Sequence, residues 1–331
     1  MKITVLGGGN WGTTAALHLH RCGHEVSLWE YNESLAQAMI ETHRNETYLP
    51  EFELPDDILI TSDLPMVVES SEIIVFVVPS SAMRITAQSV KRSGCIENDA
   101  ILVSLSKGLE RETMKTMTGI IEDEITGNPV VALSGPCIAD EVAHGLPTTI
   151  VAASVDADAA HTVQDAFMSA RLRVYTSDDP SGVQLGGAIK NIIAVAAGIN
   201  DGLGYGTNAK SALITRGIVE IVRFGTMMGA NPETFNGLSG IGDLITTCFS
   251  GRSRNRYLGE ELGKGRSADD ILRDMVMVAE GVPTTRSVHE YAIKYNIDMP
   301  ITAKVYGVLF EYQSPEEAVH ELMTRDRKTE T

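Results

Sequence analysis

The first residues with a recognisable chemical pattern form the stretch GGGNWG, at positions 7–12. Gly7, Gly9 and Gly12 have the spacing GxGxxG, which binds a dinucleotide when it lies between a strand and a helix. Each glycine then has a function: a tight turn, close approach of the backbone to a pyrophosphate, and close packing of the helix on the strand. The spacing alone is a weak signal, because a tight turn without a ligand also uses glycine.

The flanking residues strengthen the dinucleotide interpretation. ITVLG before the loop is typical of a strand, and WGTTAALHLHRCG after it is typical of a helix, whose N-terminus presents unpaired N–H groups to phosphates. A second strand-like run, EVSLWE, ends in Glu30, 18 residues after Gly12. An acidic residue at this distance binds the ribose hydroxyls of adenosine and repels the additional phosphate of NADP. We therefore expect NAD as the cofactor, with NADP less favoured; otherwise Glu30 is only an exposed carboxylate.

Two lysines lie where a reacting substrate is expected. Lys107 follows the strand-like run AILVSLS, and ligands of parallel sheets lie beyond the carboxyl ends of the strands. Lys190, with Asn191 beside it, interrupts an otherwise apolar segment, where an unpaired ammonium is costly and its pKa falls toward the range useful for proton transfer. A solvated surface lysine is the alternative at Lys107. At Lys190 the alternative is a side chain that extends to water.

The segment 240–265 combines cationic and small polar residues in an acidic chain. Its three arginines are Arg252, Arg254 and Arg256. Guanidinium groups next to Ser253, Asn255 and exposed backbone N–H groups are typical of a phosphate site, although ordinary surface charge is the alternative. Asp243 precedes an apolar stretch, and its position is equally compatible with capping a helix and with a role in catalysis.

The elements that must position these residues fall into two groups. Seven short runs rich in Val and Ile, separated by stretches of helical length, fill the first part of the chain, and runs such as IIVFVV are typical of parallel strands buried on both faces. This pattern predicts a doubly wound α/β domain at 1–180. From residue 183 onward the apolar segments have helical length, which predicts an all-α domain at 181–331. Its predicted helices include SADDILRDMVMVAE, at 267–280.

The composition limits the class of protein. The chain has 331 residues and a formal charge of −17 at pH 7, with 43% hydrophobic and 21% charged residues. These values are ordinary for a soluble two-domain protein, and the acidic surface disfavours nucleic acid and anionic membranes. A secretory signal pattern and a run of 18 apolar residues are both absent, so we expect a cytoplasmic protein with no integral membrane segment. The four cysteines have no CxxC spacing, so we expect reduced thiols and no metal.

In their order along the chain, these motifs resemble those of the soluble, nicotinamide-dependent glycerol-3-phosphate dehydrogenases of bacteria. The similarity covers nearly all of the chain and runs through GGGNWG, LSKGLE, LSGPCIADEVAHGLPT, GGAIKNIIAVAAGIN, GLSGIGDLITTCFSGRSRN and VAEGVPTT. It implies a Rossmann-type N-terminal domain and a helical C-terminal domain similar to that of 6-phosphogluconate dehydrogenase. It also implies interconversion of dihydroxyacetone phosphate and sn-glycerol 3-phosphate, the latter for phospholipid synthesis.

The resemblance also implies roles for individual residues. Lys190 would be the proton donor and acceptor, with Asp243 beside it, while Asn191 and Thr247 lie near the reacting carbon. Lys107 would contact both cofactor and substrate. The other substrate contacts are Gly135, Cys137, Ser253, Arg254 and Asn255. The other cofactor contacts are Gly7, Gly9, Asn10, Trp11, Gly12, Glu30, Tyr31, Ala139, Arg254, Val278 and Glu280.

Two positions depart from the family's pattern. Many bacterial members have a Gly-Arg-like pair associated with NADP where this chain has Glu30 and Tyr31, which supports NAD. Cys137 stands where the family usually has Ser or Thr at a substrate contact, and a thiol is a weaker hydrogen-bond partner than a hydroxyl. Little is lost if only the backbone N–H makes that contact.

The resemblance predicts a reaction at a cleft between the two domains. A hydride passes to C2 of dihydroxyacetone phosphate, Lys190 protonates the oxygen, and Arg254 binds the phosphate. The nearest alternative is a related two-domain 3-hydroxyacid or 6-phosphogluconate-type dehydrogenase, and a nucleotide-binding protein without catalysis is an alternative of another class. The expected partners are a small phosphate substrate and a second copy of the chain, since homodimers are the commonest oligomers.

Overall fold

The computed structural model describes residues 1–275, 277–327 and 329–330, which form two compact units. The first unit comprises Met1–Glu110 and Lys115–Gln184, and the second comprises Arg111–Met114 and Leu185–Thr331. The division after Gln184 lies four residues beyond the boundary expected at residue 180.

Strands of the first unit form one large sheet and a small hairpin. They are β1 (Lys2–Leu6), β2 (Glu25–Trp29), β3 (Arg44–Asn45), β4 (Leu49–Glu53), β5 (Leu59–Thr61), β6 (Ile73–Phe76), β7 (Ile101–Ser104), β8 (Val130–Ser134), β9 (Thr148–Ala153) and β10 (Leu172–Ser177). The sheet has the order β10-β9-β8-β7-β6-β1-β2-β5, and β3 pairs with β4 in the antiparallel hairpin. All seven strand-like runs of the sequence are confirmed. The short, partly polar strands β3, β4 and β5 carry no comparable signal.

The sheet changes its direction of winding between β1 and β6. From β1 the chain continues to β2 and β5 on one side, and β6, β7 and β8 follow on the other, all paired in parallel. Ligands of such sheets bind at the carboxyl ends of the strands beside this point, where the stretch 7–12 follows β1. The predicted doubly wound sheet is therefore confirmed.

One pair of strands departs from the expected parallel arrangement. β9 runs antiparallel to β8 and parallel to β10. The connection 135–147 contains a helix of only five residues, Ala139–Ala143. A parallel crossover usually needs a longer helix, so this connection returns the chain in the opposite direction.

Helices of the first unit pack on both faces of the sheet. They are α1 (Asn10–Arg21), α2 (Glu33–Thr42), α3 (Leu64–Val68), α4 (Met83–Ser93), α5 (Met117–Glu124), α6 (Ala139–Ala143) and α7 (Ala157–Phe167), with a 3-10 turn at Ser80–Ala82. Successive strand residues point to opposite faces, so Ile73 packs in one apolar cluster and Ile74 in the other. Burial on both faces explains why the strands lack apolar-polar alternation.

The second unit consists of helices joined by loops and turns, and no strand occurs among its described residues. Its helices are α8 (Pro180–Gly202, from Leu185 onward), α9 (Gly206–Met227), α10 (Asp243–Phe249), α11 (Arg254–Gly263), α12 (Ala268–Asp274), α13 (Gly281–Tyr295), α14 (Pro300–Phe310) and α15 (Pro315–Met323), with a 3-10 turn at Pro232–Asn236 and a π turn at Leu238–Gly242. The helix predicted over 267–280 is too long. It ends at Asp274, and Val276 lies outside the described residues.

Helices α8 and α11 cross with their backbones in contact. A Cβ atom added to Gly198 would lie 2.0 Å from the carbonyl oxygen of Arg256, and one added to Gly259 would lie 2.0 Å from that of Val195. Gly202 and Gly263 extend the same contact by one helical turn. Only glycine permits this approach, so these four residues fix the positions of the two helices relative to each other.

Helix α8 is also apolar enough to span a membrane by length and composition. Among the described residues it is the one helix that passes this test, and 94% of its most apolar window is buried inside the protein. The core helix of a soluble protein has the same properties, so this is weak evidence for a membrane span.

Candidate functional site

The glycine loop between β1 and α1 has the geometry that each glycine was expected to supply. Gly7 has φ +117°, a left-handed conformation, and its Cβ would lie 2.7 Å from the carbonyl oxygen of Val77. A Cβ on Gly12 would lie 1.7 Å from the carbonyl oxygen of Gly7, so α1 packs directly on the turn. The space beside Gly9 is open for at least 4 Å. The second glycine therefore leaves room for a ligand to approach the backbone.

The first turn of α1 has polar groups that suit a bound dinucleotide. Gly9 occupies the N-cap position and provides no side-chain hydrogen bond to the free N–H groups of the helix. The Oδ1 atom of Asn10 is buried and has no hydrogen-bond partner among the described residues. A buried polar atom without a partner is costly, and free N–H groups at a helix N-terminus attract phosphate. These residues fit the pyrophosphate of a nicotinamide dinucleotide.

Glu30 is fixed beside the loop by two backbone N–H groups. Its Oε2 accepts from Gly8 N at 2.9 Å and its Oε1 accepts from Asn32 N at 2.8 Å. The carboxylate therefore lies at the end of β2 in a defined orientation, where the ribose hydroxyls of adenosine are expected. Tyr31, the other residue predicted to contact the cofactor here, is 82% exposed.

Asn45 in the β3-β4 hairpin supports the glycine loop and was not predicted from the sequence. Its Nδ2 donates to the carbonyl oxygen of Gly8 at 2.6 Å and to Thr13 Oγ1 at 2.8 Å, and its Oδ1 accepts from Tyr48 N. The side chain is fully buried. The segment RNETYLP is mostly polar and has no strand pattern, so no sequence signal places this amide under the loop.

Lys107 and the segment that follows β8 meet at one edge of the sheet. The Nζ of Lys107 donates to Gly135 O at 3.1 Å and lies 3.6 Å from Cys137 Sγ. Gly135 has φ +139°, which brings its carbonyl into the loop. Trp11 Nε1 donates to Cys137 O at 2.9 Å, and Ala139 begins α6 directly beyond. Within the first unit, the predicted residues of the glycine loop and of this edge are therefore brought together.

Lys190 and Asp243 form a buried ion pair in the second unit. The Nζ of Lys190 donates to Asp243 Oδ1, and it also donates to Thr247 Oγ1 at 2.6 Å. Lys190 is only 5% exposed and Asp243 only 2%. The alternative that Lys190 extends to water is therefore wrong.

Asp243 does not cap a helix. It is the first residue of α10, whose N-cap is Gly242 without a side-chain hydrogen bond, and a π turn precedes it. Such turns often occur at functional sites, because the extra residue redirects the side chains. The carboxylate of Asp243 is directed to Lys190 instead, which excludes the capping alternative. Burial raises the pKa of the neighbouring thiol of Cys248 to about 12, so this cysteine stays protonated.

Asn191 and Asn255 connect three helices. Asn255 Nδ2 donates to Asn191 Oδ1 at 2.9 Å, and Asn255 Oδ1 accepts from Gly281 N at 2.9 Å. Gly281 begins α13 directly after Glu280, and Val278, two residues earlier, is exposed. The second unit therefore joins the predicted substrate residues to the predicted cofactor segment.

The three arginines of the segment 240–265 have different surroundings. Arg256 donates to Asp201 Oδ2 at 2.7 Å and pairs with Glu260, so its guanidinium group is paired with carboxylates inside the second unit. The side chain of Arg254 reaches solvent, but much of its guanidinium group is surrounded by protein. This partial desolvation lowers the pKa of Arg254, while the nearby charge of Glu280 raises it. Ser253 caps α11 by accepting from Arg256 N at 3.2 Å. Arg254 therefore lies beside free N–H groups at a capped helix N-terminus, which suits a phosphate.

Potential metal ligands occur elsewhere in the first unit. Glu51, Asp140 and His144 have ligand atoms within 4.8 Å of one another, and no other such group occurs in the described residues. Glu51 and His144 are exposed, and exposed acidic groups commonly form such clusters without an ion.

Comparisons with known proteins agree along the whole chain. Residues 2–160 match the model of the NAD-dependent glycerol-3-phosphate dehydrogenase N-terminus, and residues 179–320 match that of its C-terminus. A glycerol-3-phosphate dehydrogenase (NAD(P)+) of Salinibacter ruber is 48% identical over 99% of this chain and 96% of its own. One from a Thermoanaerobacter species is 47% identical over 100% and 99%. The crystal structure of glycerol-3-phosphate dehydrogenase from Coxiella burnetii superposes with a TM-score of 0.94 at 37% identity and covers 98% of each chain.

These relatives share one activity in their names, which disfavours the alternative of a 3-hydroxyacid or 6-phosphogluconate-type dehydrogenase. The predicted two-domain fold and the predicted family are both confirmed. The chain belongs to the NAD-dependent glycerol-3-phosphate dehydrogenase family.

Proposed function

We propose that this protein reversibly interconverts dihydroxyacetone phosphate and sn-glycerol 3-phosphate with a nicotinamide cofactor, and that Lys190 transfers the proton. The observation that carries this assignment is the buried Lys190, which is ion-paired with Asp243 and hydrogen-bonded to Thr247. A buried ammonium needs such partners to remain charged. An ammonium held beside a carboxylate is suited to give a proton to an oxygen and recover it later.

The residues of the second unit act on the two ends of the substrate. When bound, the nicotinamide supplies or accepts the hydride at C2. Lys190 donates its proton to the C2 oxygen during reduction, and Asp243 orients the ammonium and keeps it charged. Asn191 donates a hydrogen bond to the same oxygen as negative charge develops there. Arg254 and the N-terminus of α11 bind the phosphate, which supplies binding energy away from the reacting carbon.

The residues of the first unit hold the cofactor. The main chain of the stretch 7–12 binds the pyrophosphate, with further contacts from Asn10, Trp11 and Ala139. Lys107 contacts both cofactor and substrate. Its Nζ already contacts Gly135 O and Cys137 Sγ, so these residues define the substrate side of the loop. Val278 and Glu280 of the second unit add cofactor contacts.

We further propose that NAD is preferred over NADP. Glu30 is held by two backbone N–H groups at the end of β2, where we expect the adenosine ribose, and it cannot turn away without losing both hydrogen bonds. A fixed carboxylate accepts from two ribose hydroxyls but repels a phosphate.

The cellular setting follows from the family and the composition. We propose a cytoplasmic homodimer that supplies glycerol 3-phosphate for phospholipid synthesis. Exposed apolar side chains on helices of the second unit, such as Ile245 and Phe249, support association of two copies. Sedimentation of the purified protein tests the dimer directly, and a monomer at micromolar concentration would exclude it.

The decisive experiment measures initial rates of dihydroxyacetone phosphate reduction with NADH and with NADPH. Parallel assays use 6-phosphogluconate and a 3-hydroxyacid with the oxidised cofactors. We expect turnover with dihydroxyacetone phosphate alone and a higher kcat/KM with NADH. Turnover with a hydroxyacid instead would replace the proposed substrate, and equal rates with both cofactors would remove the role of Glu30.

A further inference from the structure

The side chains of Asn191 and Asn255 form a directional chain of hydrogen bonds that ends on a backbone N–H group. Gly281 N donates to Asn255 Oδ1 at 2.9 Å, and Asn255 Nδ2 donates to Asn191 Oδ1 at 2.9 Å. Asn191 is 5% exposed and Asn255 is 8% exposed. Both amides are therefore held inside the second unit.

The direction of this chain follows from the backbone. The N–H of Gly281 can only donate, so the atom of Asn255 that faces it is the amide oxygen. The opposite side of Asn255 is then its NH2 group, which requires an acceptor, so Asn191 must present its oxygen. The Nδ2 of Asn191 consequently lies on the far side of its amide. Among the described residues this atom has one contact, a long one of 3.5 Å to Gly187 O.

The packing around the chain leaves little freedom for either amide to turn. A Cβ on Gly281 would lie 2.8 Å from Asn255 Oδ1 and 2.9 Å from Asn191 O, so α13 begins in direct contact with both residues. The backbone contact of α8 with α11, through Gly198 and Gly259, holds the two asparagines at a constant separation. Rotation of Asn255 would leave Gly281 N without an acceptor, which is costly in a buried position.

We propose that Asn255 is a positioning residue, which orients the Asn191 amide so that its NH2 group donates to the substrate oxygen at C2. The inference rests on the proposed function. Both ends of the Asn255 side chain are used inside the fold, whereas its backbone N–H at the start of α11 stays available to the phosphate. Gly281 directly follows Glu280, which belongs to the segment proposed to contact the cofactor. The conformation of that segment therefore fixes Gly281 N and, through Asn255, the orientation of Asn191.

A double-mutant cycle of Asn191→Ala and Asn255→Ala tests the proposal. We measure kcat and KM for dihydroxyacetone phosphate, the dissociation constant of NADH, and the melting temperature of each variant. Each single variant is expected to lower kcat by about 100-fold, which is typical for loss of one donor to a developing oxyanion. The double variant is expected to be no slower than the single variants, because Asn255 acts only through Asn191. Multiplication of the two losses in kcat would overturn the proposal.

The substitution Asn255→Asp separates positioning from a merely structural role. The introduced carboxylate still accepts from Gly281 N, so the variant should melt above Asn255→Ala, yet its second oxygen forces the Asn191 amide to turn its own oxygen toward the substrate. We expect kcat to fall at least as far as in Asn255→Ala. A kcat close to wild type, or a loss confined to KM for dihydroxyacetone phosphate, would overturn the positioning role of Asn255.

The effect of the charge that Asn255→Asp introduces is measured separately in the Asn191→Ala variant, which has no amide to orient. In that background the kinetic constants of the Asp and Ala variants at position 255 should differ only through repulsion of the phosphate, which raises KM for the Asp variant and leaves kcat equal. Ser253→Ala is a second comparison, since it removes the cap of the same helix without changing the asparagine chain. Wild-type protein inactive with dihydroxyacetone phosphate would refute the proposed function itself, whereas an active wild type with multiplicative losses refutes only the positioning role.

Discussion

The glycine loop of the first unit and the polar cluster of the second unit, formed by Lys190, Asn191, Asp243, Thr247 and Asn255, are built in different ways. In the proposed function the loop acts through its main chain, and its glycines are required because Cβ atoms at Gly7 and Gly12 would lie within 3 Å of carbonyl oxygens. In the proposed function the cluster acts through side chains, which α8, α10 and α11 bring together from distant parts of the chain. A main-chain site is contiguous in sequence, whereas a side-chain site depends on how helices pack. The two regions should therefore respond to substitution differently.

The largest expected effect is the loss of Lys190. We expect Lys190→Ala to lower kcat by about 100-fold or more, because no other group replaces its proton. The dissociation constant of NADH, measured by fluorescence titration, should be unchanged. Since the variant leaves Asp243 buried without its partner, the double variant Lys190→Ala with Asp243→Asn controls for lost stability. Turnover near the wild-type value in either variant would remove Lys190 from the catalytic role.

The second unit should also respond to pH through Glu220 on α9. This buried carboxylate accepts from Ile301 N, Thr302 N and Thr302 Oγ1 at the start of α14. Burial raises its pKa from 4.5 to about 7, against the opposing effect of these hydrogen bonds. The folded protein then binds more protons than the unfolded chain between these values, so the free energy of unfolding falls as the pH rises from 4.5 to 7 and is level above.

Through Glu220, the free energy of unfolding is expected to fall by about 3 kcal/mol over this range. Glu220→Gln removes this titration. Between pH 5 and 7 the melting temperature of the wild type should therefore fall more steeply with pH than that of the variant. The variant should gain stability relative to wild type as the pH rises. Parallel melting profiles would contradict the assignment.

The glycine loop should tolerate a methyl group at one position and not at another. Gly12→Ala places Cβ 1.7 Å from Gly7 O, and we expect a loss of about 1–3 kcal/mol in stability, measured by chemical denaturation. Gly9→Ala is the matched control, since its Cβ enters open space and its loss of stability without cofactor should stay below about 1 kcal/mol, the cost of Ala in place of Gly at an N-cap. It should nevertheless weaken NADH binding if the pyrophosphate approaches there. Equal stabilities of the two variants would show that helix packing does not require glycine at position 12.

The smallest expected effect concerns Glu30, whose side chain accepts a hydrogen bond from Gly8 N of the glycine loop. Glu30→Gln removes the charge near the adenosine ribose and keeps the size of the side chain. We expect the ratio of kcat/KM for NADH to that for NADPH to fall by about tenfold, as expected for loss of one partly screened charge repulsion. An unchanged ratio would place the origin of cofactor preference elsewhere.

The same contrast explains which features the sequence could predict. GGGNWG, Glu30 and the seven apolar strands are local patterns, and the structure has them where they were expected. Asn45 and the antiparallel β9 depend on a polar hairpin and on a short connection, neither of which has a periodic signal. The pairing of Arg256 with Asp201 could not be predicted either, because the two residues lie 55 positions apart in sequence.

Side chains can be exchanged along α8 and α11 without changing how far apart the two helices lie, since their contact is made by main-chain atoms at glycine. Lys190 is on one helix and the start of the other bears Arg254. The distance between the amine of Lys190 and the proposed phosphate-binding end of α11 is thus set by the backbone contact of the two helices. We expect this span to select for the number of carbons between the carbonyl and the phosphate, so that longer sugar phosphates are rejected by length even when their reactive groups are correct.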